Sequence, residues 1–352
     1  MGPGRKIPRL ARDDKNFGNY MTQTTTQLAT VSLDDIRQAQ ARLQGVAVRT
    51  SLLESQLHEP DKLQRKLYLK PENLQPIGAF KLRGAYNKIA SLTDEERRGG
   101  VITYSSGNHG QGVAYAARAL GVKATIVMPN NAPAIKRQAT AALGAEVIVV
   151  GPASDERMMK AQELAAQHGY AIVPPYNDEM IIAGQGTIGL EILEDLPDVE
   201  TVLAPVGGGG MISGIATAIK LSNPKVKVIG VEPALAADAQ ASLRSGKIVR
   251  IAAEQVSQTA ADGLRTQSIG EINFEHIRRY VDDIVTVSEE EIAEAMRRLS
   301  ENPKTIAEPS GAVAVAGFLF HGDELPKTKM NVAVLSGGNI EPEVLKALQE
   351  RS

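Results

Sequence analysis

The sequence contains no cysteine and no tryptophan among its 352 residues, and aromatic residues make up only 4% of it. The absence of cysteine excludes disulfide bonds, thiolate catalysis and cysteine-ligated zinc. The five histidines form no His-Glu-x-x-His pattern, so a zinc hydrolase is unsupported. A net charge of −2 implies no basic surface for nucleic acid. The composition, 43% hydrophobic and 23% charged, is that of a globular chain long enough for two domains.

Residues 1–20 are polar and basic, and they lack the apolar stretch of a signal peptide or of a membrane span. A Thr/Gln-rich run follows, and we expect residues 1–25 to form a disordered extension. Met21 is a candidate for the natural start. These features, with the absence of cysteine, favour a cytoplasmic protein without a membrane partner.

Short apolar runs alternate with helical patterns of about 10 to 15 residues along most of the chain. The predicted strands are 66–70, 101–104, 124–128, 147–150, 201–205, 228–231 and 332–335. This alternation predicts parallel sheets covered by helices on both faces, with ligand sites in the loops after the strands. The charged run 94–98 is expected to be a surface turn.

One lysine, Lys81, lies between small and apolar residues in the run Gln-Pro-Ile-Gly-Ala-Phe-Lys-Leu-Arg-Gly-Ala-Tyr, at the expected start of a helix. Lysine is strongly hydrated and is rare in apolar surroundings. A desolvated lysine has a lowered pKa and can act as an amine nucleophile or as a base. On this run alone a partly exposed, snorkelling lysine is the more common situation, so the assignment depends on the rest of the chain.

The loop Ser-Ser-Gly-Asn-His-Gly-Gln-Gly, residues 105–112, joins a predicted strand to a predicted helix. Its glycines let the backbone approach a ligand, and the following helix offers free N–H groups and the positive end of its dipole. Such a loop suits a carboxylate or a phosphate. A capping turn needs only one polar residue, whereas the first five positions of this loop hold Ser, Ser, Asn and His, which favours binding over capping alone.

Four consecutive glycines, Gly207 to Gly210, follow an apolar strand and precede a helix. They match neither the dinucleotide fingerprint nor a Walker A loop, but they suit a phosphate cradle of backbone N–H groups. A flexible tight turn is the alternative. The run 336–339, Ser-Gly-Gly-Asn, is a third polar loop after a strand. The run 308–311, Glu-Pro-Ser-Gly, is interpreted as a helix start with no other role.

Glu232 and Asp238 lie six positions apart, directly after a predicted strand, with Ala236 between them. Two carboxylates and an intervening carbonyl oxygen can bind Mg²⁺ or Ca²⁺ when water completes the shell. On this spacing alone, solvated surface acids are the simpler interpretation.

Taken in order, these motifs resemble those of the fold type II pyridoxal phosphate (PLP) enzymes, and within them the threonine/serine dehydratase and serine racemase family. The resemblance covers roughly residues 30 to 345 and also includes Ile-Ala-Gly-Gln-Gly-Thr-Ile at 182–188 and Leu-Ser-Gly-Gly-Asn at 335–339. Each glycine-rich motif is unspecific by itself, but the ordered set is specific.

The resemblance implies a role for each matching residue. Lys81 would hold PLP covalently and act on the Cα proton of the substrate. The other cofactor-binding residues would be Phe80 beside the ring, Asn108 at the 3′-oxygen, Ser336 at the pyridine nitrogen, and Gly207, Gly208, Gly209, Gly210 and Met211 at the phosphate. The substrate-binding residues would be Ser105, Ser106, Asn108 and His109, with Arg157 as an additional anchor.

Two matching features divide the family. Serine racemases carry a serine at the position of Ser106, as the acid or base on the face opposite Lys81, whereas many threonine dehydratases carry alanine. Some hydroxyaspartate dehydratases also have this serine, so it leaves the reaction open. Glu232, Ala236 and Asp238 match the divalent-metal site of serine racemases, which implies bound Mg²⁺ or Ca²⁺.

The expected fold is α/β, with two open twisted parallel-sheet domains and the cofactor in the cleft between them. Residues 26–97 and 177–352 would form the large PLP-binding domain, and residues 98–176 a small mobile domain. The expected reaction is that of a PLP-dependent L-threonine/L-serine ammonia-lyase. Serine racemase and 3-hydroxyaspartate dehydratase are the alternatives, and an oxidoreductase or a non-catalytic amino-acid sensor is less well supported. The resemblance implies a homodimer or homotetramer.

Overall fold

The structure, a computed structural model, describes residues 30–57, 64–105, 107–132, 134–151 and 154–350, apart from the side chains of Ile135 and Ser154. The expected disordered extension, residues 1–25, and Ser106 lie outside the described residues. Within these ranges, no helix is both long and apolar enough to cross a membrane.

Two sheets organise the described residues. Their strands are β1 (Leu53–Ser55), β2 (Lys66–Pro71), β3 (Val101–Tyr104), β4 (Ala124–Pro129), β5 (Glu146–Val150), β6 (Ala171–Ile172), β7 (Thr201–Pro205), β8 (Lys227–Pro233), β9 (Asp283–Val287) and β10 (Met330–Leu335). The larger sheet has the order β1-β2-β10-β7-β8-β9, and the smaller one has the order β5-β4-β3-β6. Every pairing is parallel except that of β1 with β2. The prediction of two parallel-sheet units is confirmed.

Helices connect and cover the strands. They are α1 (Leu33–Arg42), α2 (Lys81–Ser91), α3 (Asp94–Gly99), α4 (Asn108–Ala119), α5 (Ala134–Ala142), α6 (Ser154–His168), α7 (Glu179–Asp195), α8 (Gly210–Ser222), α9 (Asp238–Ser245), α10 (Ala253–Val256), α11 (Glu271–Tyr280), α12 (Glu289–Leu299), α13 (Pro309–Phe320) and α14 (Pro342–Gln349). The described residues also form short 3₁₀ helices at Glu72–Leu74, Ala234–Ala236 and Asp262–Leu264.

The larger sheet is apolar on both faces. Successive residues of a strand point to opposite sides of the sheet, and here both sets of side chains are apolar. On β7, Val202 packs in the cluster that contains Ile212 of α8, whereas its neighbour Leu203 packs in the cluster that contains Val315 of α13. All five residues of β7 are buried. A parallel strand covered on both faces therefore has a continuous apolar sequence, which is the pattern that predicted it.

The charged run after α2 is a helix and not the expected surface turn. Thr93 Oγ1 accepts a hydrogen bond from the Glu96 amide, and the Glu96 carboxylate accepts one from the Thr93 amide. This capping box satisfies two free donors at once, and the order of acids before arginines matches the helix dipole. The prediction of a turn was wrong because the capping box of Thr93 and Glu96 stabilises a helix within the charged run.

The carboxyl ends of three strands position the loops that the sequence singled out. Ser105 and Gly107 follow β3 of the smaller sheet, whereas 206–209 and 336–339 follow β7 and β10 of the larger sheet. The smaller sheet spans residues 101 to 172, which fall inside the predicted small domain, 98–176. The exact domain bounds stay a prediction.

Candidate active site

A cavity of about 310 Å³ is lined by the loops of both sheets and by the start of α2. The predicted site residues that line it are Phe80, Lys81, Ser105, Asn108, His109, Arg157, Gly207, Gly208, Gly209, Gly210, Met211 and Ser336. Its volume lies in the range of small-molecule sites. The fold thus gathers into one cavity the cofactor- and substrate-binding residues that the sequence predicted, apart from Ser106.

Lys81 is the first residue of α2, and no carboxylate of the described residues pairs with its side chain. The Nζ atom donates a hydrogen bond to the Pro175 carbonyl oxygen at 2.7 Å and lies 5.2 Å from the centroid of the Phe80 ring. Burial lowers the pKa of this amine to about 8. Roughly a tenth of it is then neutral at pH 7, far more than for an ordinary lysine. The site therefore holds an amine that is ready to act as a nucleophile or a base.

Covalent loading of the cofactor-free protein is expected to speed up between pH 7 and 9. Only the neutral amine attacks a carbonyl, and the pKa of Lys81 is lowered to about 8, so the loading rate should rise with pH and level off above that value. Stopped-flow absorbance after mixing with PLP at a series of pH values measures it. If the loading rate reached half its maximum at about pH 10.4, the ordinary lysine pKa, burial would not lower the pKa of Lys81.

The four glycines leave no room for side chains. A Cβ atom on Gly208 would lie 2.3 Å from a ring carbon of Tyr176, and one on Gly210 would lie 3.0 Å from the Tyr176 Cβ. Gly209 has φ = +93°, a conformation that favours glycine. The amides of Gly207, Gly208 and Gly209 have no acceptor among the described residues. Free amides at the start of α8 form a site that fits a phosphate group.

Asn108 and His109 are the first residues of α4, and their side chains form hydrogen bonds with different parts of the fold. Asn108 Nδ2 donates to Glu308 Oε1, and Asn108 Oδ1 accepts from Asn339 Nδ2 at 2.8 Å. His109 Nε2 donates to the Val173 carbonyl oxygen at 3.0 Å. Burial, with a smaller contribution from the charge of Lys81, lowers the pKa of His109 to about 3. The imidazole is therefore neutral and orients the loop without adding a positive charge.

Ser336 and Phe80 lie on two backbone segments that are joined by a hydrogen bond. The Phe80 amide donates to the Ser336 carbonyl oxygen at 3.0 Å, and Ser336 Oγ donates to the Ser310 carbonyl oxygen at 3.2 Å. Ser336 is buried and carries no charge. The predicted neutral partner for a ring nitrogen is thus present at the cavity wall.

Lys136, Asp262, Glu308 and Asn339 are among the residues in or beside the cavity that were not predicted to bind a ligand. Lys136 Nζ donates to Asp262 Oδ2 at 2.6 Å, and both residues line the cavity. Glu308 lines it as well, and it is the N-cap residue of α13, so it lies at the helix start that the sequence predicted. Asn339 holds Asn108. No sequence spacing links these residues, because Asn108 and Glu308 are 200 positions apart.

Glu232 and Asp238 are both fully buried, which overturns the interpretation of them as surface acids. Glu232 accepts hydrogen bonds from the amides of Ala239 and Gln240, at 3.0 and 2.8 Å. No side chain of the described residues pairs with the carboxylate of Asp238, and only the backbone amides of Asp238 and Ile269 act on it to lower its pKa. Burial raises the pKa of Asp238 to about 7, and burial together with the charge of Asp238 raises that of Glu232 well above its usual range.

This pair fits a divalent cation on chemical grounds. Buried carboxylates are unfavourable unless a positive charge neutralises them, and no lysine or arginine of the described part of the chain pairs with either of them. The described residues contain no group of three or more acidic or histidine side chains that could hold a metal. Carbonyl oxygens, such as that of Ala236, and water would have to complete the shell.

The chain belongs to the family described as pyridoxal-phosphate dependent enzyme, whose sequence profile matches residues 27–337. It is 49% identical over 311 residues to the L-threonine ammonia-lyase of Thermotoga maritima, covering 88% of this chain and 76% of that protein. It is 43% identical to the L-threo-3-hydroxyaspartate ammonia-lyase of Saccharomyces cerevisiae, covering 87% of this chain and 93% of the other. The solved serine racemase of Dictyostelium discoideum is 38% identical, with a TM-score of 0.82, covering 89% of this chain and 100% of that one.

Proposed function

We propose that this protein is a PLP-dependent ammonia-lyase that converts L-threonine to 2-oxobutyrate and L-serine to pyruvate, releasing ammonia from each. One observation carries the proposal: a lysine with a pKa near 8 shares a cavity with the free amides of a tetraglycine loop. The identity of 49% to a threonine ammonia-lyase supports it. When bound, PLP draws electrons from the bonds to the substrate Cα.

The chain's own residues would divide the work as follows. Lys81 holds the cofactor and then accepts the Cα proton, for which its lowered pKa suits it. The amides of 207–210 would bind the phosphate, and Ser105, Asn108 and His109 would bind the substrate carboxylate. Ser336 would lie at the ring nitrogen as a neutral partner and would not hold a proton there as a carboxylate would, which favours rapid loss of the β-hydroxyl from the substrate. The water lost in elimination returns in hydrolysis, which releases ammonia.

The deciding experiment feeds L-threonine and L-serine separately to protein loaded with PLP in the presence of Mg²⁺. Keto-acid release is followed by a coupled assay, and D-serine is measured in the same tube by chiral chromatography. Keto acid without D-serine supports the ammonia-lyase. Absence of keto acid from both substrates, with PLP bound, would reject it.

Serine racemase activity is the second candidate, supported by Ser106 in the sequence and by the likeness to a solved serine racemase. Racemisation needs a proton donor on each face of Cα. If Ser106 supplies the second, Ser106→Ala should abolish D-serine formation and retain keto-acid release. Equal loss of both activities would reject this role. The relative that acts on L-threo-3-hydroxyaspartate makes that compound the third substrate to test.

We propose that residues 98–176 move as a small domain that closes over the substrate. The support is that the cavity is lined from both sheets, with Asn108 and Arg157 on helices of the smaller unit and the tetraglycine loop on the larger. Closure would exclude water from the reacting atoms. The homodimer or homotetramer and the cytoplasmic location stay predictions from the resemblance and the sequence.

We also propose that Glu232, Asp238 and the Ala236 carbonyl bind Mg²⁺ or Ca²⁺ as a structural or activating ion. Because the ion binds only the folded protein, millimolar Ca²⁺ at about 100 times its dissociation constant should stabilise the fold by about 2.7 kcal/mol. Thermal melting of chelator-treated protein with and without the ion measures this. Asp238→Asn should remove the shift. If the ion raised the melting temperature of this variant as well, or did not raise that of the unmodified protein, the proposed ion site at Glu232 and Asp238 would be wrong.

A further inference from the structure

Glu308 is the one carboxylate of the described cavity lining that touches a residue predicted to bind the cofactor. It is 2% exposed and is the N-cap residue of α13, yet its side chain makes no capping hydrogen bond. Oε1 accepts from Asn108 Nδ2, and Oε2 is buried without a partner in the described part of the chain. Burying a carboxylate costs free energy unless hydrogen bonds or a positive charge compensate it. The hydrogen bond from Asn108 compensates Glu308 only in part, which suggests that the contact has a function.

The contacts of Asn108 fix which end of its amide points where. Asn339 Nδ2 donates one proton to the Ile77 carbonyl oxygen at 2.9 Å and the other to Asn108 Oδ1 at 2.8 Å. A flipped Asn108 would place its carbonyl oxygen against the Glu308 carboxylate and its NH₂ group against that of Asn339. Glu308 and Asn339 therefore select a single orientation. The second N–H of Asn108 Nδ2 is left without a partner among the described residues.

We propose that Glu308 is a positioning residue that holds the Asn108 amide so that it offers an N–H, and not its carbonyl oxygen, to the 3′-oxygen of the cofactor. This inference rests on the proposed function, in which Asn108 contacts that oxygen. A phenolic oxygen that carries negative charge needs a donor, so the opposite orientation would repel it.

The charged groups around Glu308 agree with this role. Lys136 of α5 and Asp262 of the 3₁₀ helix face it, and they pair with each other at 2.6 Å. Burial and the charge of Asp262 raise the pKa of Glu308, Lys136 and the hydrogen bond from Asn108 lower it, and the net pKa is about 7. A carboxylate that keeps at least part of its charge is a strong acceptor for the Asn108 amide.

The test measures the apparent dissociation constant of PLP, titrated into cofactor-free protein and followed by its visible absorbance. The variants are Glu308→Leu, Glu308→Gln, Asn108→Ala and the double variant Asn108→Ala/Glu308→Leu. Glu341→Leu is the matched control, because Glu341 also precedes a helix-initiating proline, Pro342, but is exposed and outside the cavity.

Glu308→Leu should weaken PLP binding by about 10- to 100-fold, the effect of losing a charge-assisted hydrogen bond at the site. Glu308→Gln keeps an acceptor for Asn108 Nδ2 and should bind PLP within about threefold of the unmodified protein. The double variant should bind no more weakly than Asn108→Ala, because Glu308 acts only through Asn108. Glu341→Leu should bind normally.

Three results would overturn the proposal: losses that multiply in the double variant, a Glu308→Gln variant as weak as Glu308→Leu, or normal binding by Glu308→Leu. A leucine in place of a buried carboxylate with an unpartnered oxygen costs little, so folding is expected. If Glu308→Leu fails to fold, Glu308→Ala takes its place in the cycle. Protein that binds PLP but releases no keto acid rejects the ammonia-lyase alone, whereas protein that binds no PLP rejects both proposals.

Discussion

Replacing Lys81 with alanine is expected to lower keto-acid release by at least about 10⁴-fold and to abolish the visible absorbance of the lysine-bound cofactor. The variant removes both the covalent attachment point and the group that accepts the Cα proton. The fold should survive, because a part-buried ammonium whose partner among the described residues is a carbonyl oxygen is unfavourable, and its removal relieves that cost. Steady-state kinetics and an absorbance spectrum after dialysis measure the two effects.

Lys88→Ala is the matched control, since Lys88 lies two turns further along α2. Its Nζ donates to Asp178 Oδ2 at 2.6 Å, and it does not line the cavity. This variant should retain the visible band and most of the activity. If Lys81→Ala kept the band, or if Lys88→Ala lost it, the assignment of Lys81 as the cofactor lysine would be wrong.

Replacing Gly208 with alanine is expected to weaken PLP binding by roughly 100-fold, the second largest effect. The new Cβ would lie 2.3 to 2.4 Å from three ring carbons of Tyr176, so either the ring or the loop must move. Tyr176 is packed against Gly210 as well, which leaves the loop as the part that shifts. A displaced loop no longer directs its amides at one point, and mispositioning by about 1 Å costs on the order of 10²-fold. Titration with PLP measures the loss.

Gly246→Ala controls for the general cost of removing a glycine. Gly246 has φ = +71° and open space around its Cα, and it ends α9 away from the cavity. Its replacement should cost about 1 kcal/mol of stability through backbone strain and leave the PLP dissociation constant unchanged. If the two variants lost stability equally and Gly208→Ala bound PLP normally, the tetraglycine loop would not be the phosphate site.

The sequence alone determined the parts of this protein that depend on local patterns. Apolar runs such as 201–205 predicted parallel strands, because a strand buried on both faces has little room for polar residues. The tetraglycine run and Lys81 stood out, because consecutive glycines and a lysine among apolar neighbours are costly without a function. The short charged helix α3 was missed, since its stability comes from a capping box that the charge run obscured.

Only the tertiary structure decided which distant residues meet. It placed Glu308 against Asn108 and Lys136 against Asp262, contacts that span 200 and 126 positions and leave no periodic trace in the sequence. It also showed that Glu232 and Asp238 are buried and not on the surface. Burial and long-range contact depend on how the sheets and helices pack around the site, and these set the pKa values of Lys81 and His109. The sequence thus identified the groups that can do the chemistry, whereas packing decided their charge and their orientation.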